Sequence, residues 1–224
     1  MAEHGLRFAP PVRPHGVGEI MMIHALPGMG ADNRMYPAPW SSIPDFLPHD
    51  WVHYTCEQSL REIAHSMCVS CQINDGDDLI GASLGGMVAC EITKIRKIPR
   101  LYLIGSAVHK KEISALLAIL HPLAQIAPID WLRISAGKVP ADLAQMFANA
   151  EPSFIRAMCA AVFKWEGLGP SSTKVYRLHG KHDIVIPPPR NADLLIDGGH
   201  LISMTHAAEC MEFIMAHNGL HKKA

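Results

Sequence analysis

A chain of 224 residues, 49% of them hydrophobic, is long enough to bury one core and short for two, so a single domain is expected. Its 20 basic and 21 acidic residues leave a formal charge of −1, and no dense basic run could follow a phosphate backbone, which argues against nucleic acid as a partner. Residues 1–17 are rich in Pro, His and Arg and lack the apolar stretch of a signal peptide, and no segment reaches the length of a membrane span. The expectation is a cytoplasmic protein whose six cysteines stay reduced.

Short apolar runs that do not alternate with polar residues mark strands covered on both faces. In chain order they are 19–25, 51–55, 78–82, 101–105, 174–179 and 192–197. Residues 36–48, rich in Pro and carrying Trp40 and Phe46, read as a loop. Leu60, Ile63, Ala64, Met67, Cys68 and Cys71 follow the repeat of one helix face, with Ser59 and Glu62 spaced as a capping box. The Cys68 and Cys71 thiols fall on that apolar stripe, so packing explains them better than redox or zinc chemistry. Leu84, Met87, Val88, Ile92 and Ile95 give a second helix its apolar face.

From 107 to 170 the pattern turns helical, with helices expected over 113–127 and 142–165 between prolines. This block reads as a cap insertion at about 108–170, in which Met146, Phe147, Phe154, Met158, Phe163 and Trp165 pack against the body. Residues 184–191 hold three consecutive prolines and leave no room for a helix, whereas 207–217 reads as one. The alternation predicts an α/β fold: a doubly wound, mainly parallel sheet of about six strands with helices on both faces.

The segment Gly81-Ala82-Ser83-Leu84-Gly85 runs from a buried strand into a helix. That context makes G-x-S-x-G a nucleophile elbow, in which flanking glycines relieve a strained turn and present the serine. A serine hydroxyl needs a base and an acid that orients it. Asp183 follows the strand ending near His179, through Gly180, and His200 follows the last strand through Gly198 and Gly199. Both sit where open α/β sheets place their sites, at C-terminal strand ends. His206 is a rival base, and Asp193 and Asp197 are rival acids. The amides of Leu84 and Met29 are the expected oxyanion donors, with Leu26 as the alternative to Met29. His24, His179 and His182 read as hydrogen-bonded strand-end histidines, because no tight His/carboxylate set supports a metal site.

The order Pro27-Gly28-Met29-Gly30, then 81–87, then His179-Gly180-Lys181-His182-Asp183, then Gly198-Gly199-His200 resembles the α/β-hydrolase superfamily, in a small serine esterase-like form. The resemblance implies a catalytic Ser83, Asp183 and His200, acyl-enzyme chemistry on a small-molecule ester or related acyl substrate, and no cofactor or metal. Acyl transfer, thioester cleavage and a non-catalytic binding role are the rival readings on the same scaffold. The first strand lies too near the start of the chain for the superfamily's usual extra N-terminal strands, and this trimmed core raises homo-oligomerisation as a further expectation.

Overall fold

A computed structural model describes residues 21–113 and 141–218. Six strands form one sheet: β1 (Ile23–Leu26), β2 (Phe46–Pro48), β3 (Asp78–Ala82), β4 (Arg100–Ile104), β5 (Lys174–Gly180) and β6 (Leu194–Ile196). They lie in the order β2-β1-β3-β4-β5-β6, and every neighbouring pair is parallel. The register brings Leu26 beside Gly81, Ala82 beside Ile104, Ile104 beside Leu178 and Gly180 beside Ile196. All the strands therefore end along one rim.

The continuous apolar runs have the cause expected of them. Successive side chains of β3 point to opposite faces, and each face is covered. On one face Leu79 joins a core with α1 (Leu60–Ser70) and α2 (Leu84–Ile92), through Ile63, Met67, Val88 and Ile92. On the other, Ile80 and Ala82 meet Trp40, Cys210 and Ile214. Each fully buried Leu, Ile, Met or Val side chain among these contributes about 1.5–3 kcal/mol. The first helix starts as its sequence dictates: the Ser59 hydroxyl accepts from the Glu62 N–H at 3.2 Å. The Glu62 carboxylate reaches back to the Gln58 N–H, at 2.7 Å, one residue before the usual capping-box partner. All six cysteines are free thiols.

Two elements differ from the sequence reading. Residues 51–55 form no strand, and 46–48, read as loop, supply the edge strand β2 instead. The cause is position: the last contact of this segment with the sheet is His49 N–H to the Ala25 carbonyl. The chain beyond it has run past the end of β1, and among the described residues no strand pairs with it there. There the Thr55 N–H bonds to the Glu57 carboxylate at 2.8 Å, and Trp51 turns to the loop after β1.

Beyond β4 the chain passes a short 3-10 turn, Lys110–Glu112, and re-enters the described region as α3 (Ala141–Asn149) and α4 (Pro152–Lys164). The helix expected over 113–127 lies, but for Ile113, outside the described residues. The stems of this excursion are pinned together and to the body. The Leu168 N–H donates to the Val108 carbonyl at 2.8 Å. The buried Glu91 carboxylate accepts from Trp165 Nε1 at 2.8 Å and from Lys94, and Lys94 also reaches the Gly167 carbonyl. Arg177 on β5 grips Glu112 through two bonds of 2.7 and 3.0 Å. After β6 come α5 (Ile202–Thr205) and α6 (Ala207–His217). Among the described residues no helix is long and apolar enough to cross a membrane.

Candidate active site

The turn between β3 and α2 holds Ser83 at φ 50° and ψ −118°, a conformation that costs a non-glycine residue roughly 1–3 kcal/mol. The residues two positions before and after it have to be glycines. A Cβ on Gly81 would fall against the backbone of Gly85 and Gly86, and one on Gly85 against the carbonyls of Leu26 and Pro27. The strained residue is held from both ends. Its N–H donates to the Ile104 carbonyl at 3.0 Å, and its carbonyl accepts from the Ser106 hydroxyl at 2.6 Å. Ser106, fully buried just past β4, is a supporting residue that the sequence reading did not find.

From this turn a continuous chain of hydrogen bonds runs inward. Ser83 Oγ lies 2.9 Å from His200 Nε2, and His200 Nδ1 lies 2.8 Å from Asp183 Oδ2. The His200 and Asp183 side chains are 5% and 0% exposed, so water does not compete for these contacts. The other carboxylate oxygen of Asp183 accepts the N–H groups of Val185 and Ile186, both at 2.9 Å. An ionised carboxylate only accepts, so the network assigns the His200 proton to Nδ1 and leaves Nε2 to accept the serine hydroxyl.

The loop after β1 passes over this serine. A Cβ on Gly28 would stand 3.5 Å from the Cβ of Ser83. Leu84 is the first residue of α2, so its N–H belongs to the amides a helix cannot satisfy internally. The Met29 N–H makes no hydrogen bond among the described residues. Leu26, the alternative, is a strand residue in register with Gly81.

The rivals lie elsewhere. His206 bonds the Thr205 hydroxyl, Asp193 accepts from the Arg177 N–H on β5, and Asp197 pairs with His182 on the exposed surface. His24 is buried between Asp77, at 3.2 Å, and His49, at 2.8 Å. Burial, with His24 alongside, holds the His49 imidazole down at about 4. His179 departs from its expected role. It is fully buried, and neither ring nitrogen has a hydrogen-bond partner among the described residues. Burial, with Arg177 adding to it, lowers His179 to about 4, so the ring is neutral in the fold. Among the described residues no three His, Cys, Asp or Glu side chains are grouped to hold a metal ion.

Beside the loop after β1 lies a cavity of about 200 Å³, with Gly30, Trp51, Val52, Tyr54, Met146 and Phe154 among its walls. Met146 and Phe154 also pack on the body, as expected of them. The contribution of Trp51 was hidden in the sequence by its reading as a strand residue.

No protein-family model matches the sequence, and no curated protein matches it. Solved structures do match the fold. The N-acyl homoserine lactonase AidH, in complex with N-butanoyl homoserine, superposes with a TM-score of 0.72 over 92% of both chains at 14% identity. A thermophilic esterase from Thermogutta terrifontis gives 0.70 over 89% of both chains at 16% identity. The enol-lactonase from Burkholderia xenovorans LB400 gives 0.63 over 89% of this chain and 91% of its own, also at 16%. The architecture that these structures share is also that of this chain, which has the α/β-hydrolase fold.

Proposed function

We propose that this protein is a serine hydrolase that cleaves carboxylic esters, lactones included as cyclic esters, through an acyl-enzyme on Ser83. The observation that carries the reading is the unbroken line from Ser83 Oγ through His200 to the buried Asp183 carboxylate, starting at a strained turn. In the first step His200 Nε2 takes the Ser83 proton while Oγ attacks the substrate carbonyl carbon. The Leu84 and Met29 N–H groups hold the resulting oxyanion, and Asp183 stabilises the imidazolium. His200 then passes the proton to the departing alkoxide, leaving the acyl group on Ser83. Water, deprotonated by the same imidazole, attacks the ester carbonyl and releases the acid, and the proton returns to Ser83. Every proton in this cycle moves between substrate, water and residues of this chain. The helices α3 and α4 form part of a cap inserted at about 108–170.

A fluorophosphonate probe tests the nucleophile directly. The folded protein is expected to be labelled at Ser83 and to hydrolyse short p-nitrophenyl esters, with both activities lost in Ser83→Ala. A folded protein that resists the probe and leaves those esters intact overturns the reading in favour of a binding role. Product analysis with added alcohol separates hydrolysis from transfer, because a transferase returns mainly the new ester.

A further inference from the structure

The loop that carries Met29 is tied down by a side chain that also walls the cavity. Trp51 Nε1–H donates to the Gly28 carbonyl at 3.0 Å, and the Ala31 N–H reaches the same oxygen at 3.1 Å. That carbonyl and the Met29 N–H belong to a single peptide unit. The unit is planar and trans, the Ala38-Pro39 bond being the cis peptide among the described residues, so the C=O and the N–H point in opposite directions. Whatever fixes the Gly28 oxygen therefore fixes the aim of the Met29 hydrogen.

We propose that Trp51 is a positioning residue for the oxyanion hole: its indole N–H sets the plane of the Gly28–Met29 peptide, and the packing of its ring on Phe154 holds that setting. This rests on the proposed acyl-enzyme reading. Two further observations point the same way. The Trp51 ring is not free to choose its own angle, since Phe154 packs against it at a centroid distance of 5.2 Å and Tyr54 packs on Phe154 at 5.9 Å. The loop is also clamped from above: a Cβ on Gly30, which sits at φ +69°, would strike the Phe147 ring, and Met29 Sδ lies 3.4 Å from Cys159 on α4.

The chemical consequence follows from what an oxyanion donor must do. A donor aimed before the reaction costs no reorganisation as charge develops, whereas a peptide free to rotate loses that advantage. A donated hydrogen bond on the carbonyl also polarises the peptide and strengthens its N–H.

The test removes the N–H and keeps the shape. Trp51 is replaced in the full chain by benzothienylalanine, a bicyclic isostere without a donor, and by Phe, with folding checked by thermal melting. For p-nitrophenyl acetate, kcat is expected to fall by roughly 10–100-fold with KM within about threefold, as for the partial loss of one oxyanion donor. The affinity for phenylboronic acid, whose tetrahedral Ser83 adduct imitates the charged intermediate, is expected to fall by the same factor as kcat/KM. The same fall in kcat is expected for p-nitrophenyl hexanoate, because the defect lies in the donor and not in the acyl contacts. Unchanged kcat and boronate affinity in a folded isostere variant, or a change confined to KM, overturns the proposal. Wild-type protein inert toward both esters and unlabelled by fluorophosphonate rejects the hydrolase reading instead.

Discussion

Replacing Asp183 by Asn changes one oxygen for an NH2 and almost nothing in volume, so its effect isolates the charge and the proton pattern. The wild-type carboxylate has two sets of partners: Val185 and Ile186 N–H on one oxygen, and His200 Nδ1 on the other. Asparagine can satisfy the first pair only with its carbonyl oxygen. The opposite orientation would set an NH2 against two backbone donors in a site where the side chain is 0% exposed, at about 1–3 kcal/mol for each group left unsatisfied. The oxygen therefore stays with the loop and the NH2 faces Nδ1. That contact makes Nδ1 an acceptor and moves the imidazole proton to Nε2, where it can no longer accept from Ser83. The imidazolium also loses its counter-charge. On the precedent of the same exchange in other triads, kcat is expected to fall about 10⁴-fold, or roughly 5.4 kcal/mol of transition-state stabilisation. The assay is p-nitrophenyl ester turnover, with the rate of fluorophosphonate labelling as an independent measure of Ser83 reactivity. Activity within tenfold of wild type in a folded Asp183→Asn protein would refute the assignment of the tautomer and of Asp183 as the orienting group.

The remaining predictions concern the nucleophile, the buried imidazole and the turn. Ser83→Ala and His200→Ala are each expected to lower kcat by about 10⁶, and the double variant by no more than either alone, because the groups act as one unit; additive losses would argue against a shared step. His179 titrates at about 4 in the fold against its usual 6.5, so it contributes nothing to the pH dependence above 6.5 and destabilises the fold as pH falls from there toward 4. By pH 4.5 that single group costs about 2.5 kcal/mol, and urea unfolding of His179→Phe should show a pH dependence flatter by that amount; curves of equal slope would show that the ring does not stay neutral. Gly85→Ala puts a methyl group into the Leu26 and Pro27 carbonyls and is expected to cost about 3 kcal/mol, lowering the melting temperature by roughly 6–12 °C. A melting temperature within 2 °C of wild type would mean that the turn has more room than its glycines imply.

What could be read from the sequence was whatever local chemistry dictates. The apolar runs of 79–82 and 101–104 needed burial on both faces, and they received it. The glycines around Ser83 announced a close approach, and they make one with Leu26, Pro27 and Ser106. The spacing of Asp183 and His200 after two glycine-containing strand exits put both beyond the sheet, and there His200 bonds Asp183 on one side and Ser83 on the other. What stayed hidden depends on neighbours far along the chain. Phe46–Pro48 is a strand because β1 offers it an open edge, which three residues cannot advertise. Residues 51–55 look like a strand by composition, yet by then the chain has run past the end of β1. His179 was expected to have a hydrogen-bond partner because strand-end histidines usually find one; its full burial, within the influence of Arg177 and Asp183 but bonded to neither, is a property of the assembled core.

Parallel polarity explains why so few residues suffice. The loops bearing Met29, Ser83, Asp183 and His200 leave four different strands, β1, β3, β5 and β6, all at their C-terminal ends. An antiparallel strand at any of these positions would deliver its group to the far rim, about 17–20 Å away for a strand of ordinary length. Strand β4, which carries none of these groups, lies between β3 and β5 and contributes Ser106, whose hydroxyl grips the Ser83 carbonyl. The proposed reacting groups thus sit on both sides of a strand that supports them. The gap that β4 opens between β3 and β5 is bridged by His200, whose ring joins the serine of one to the carboxylate of the other.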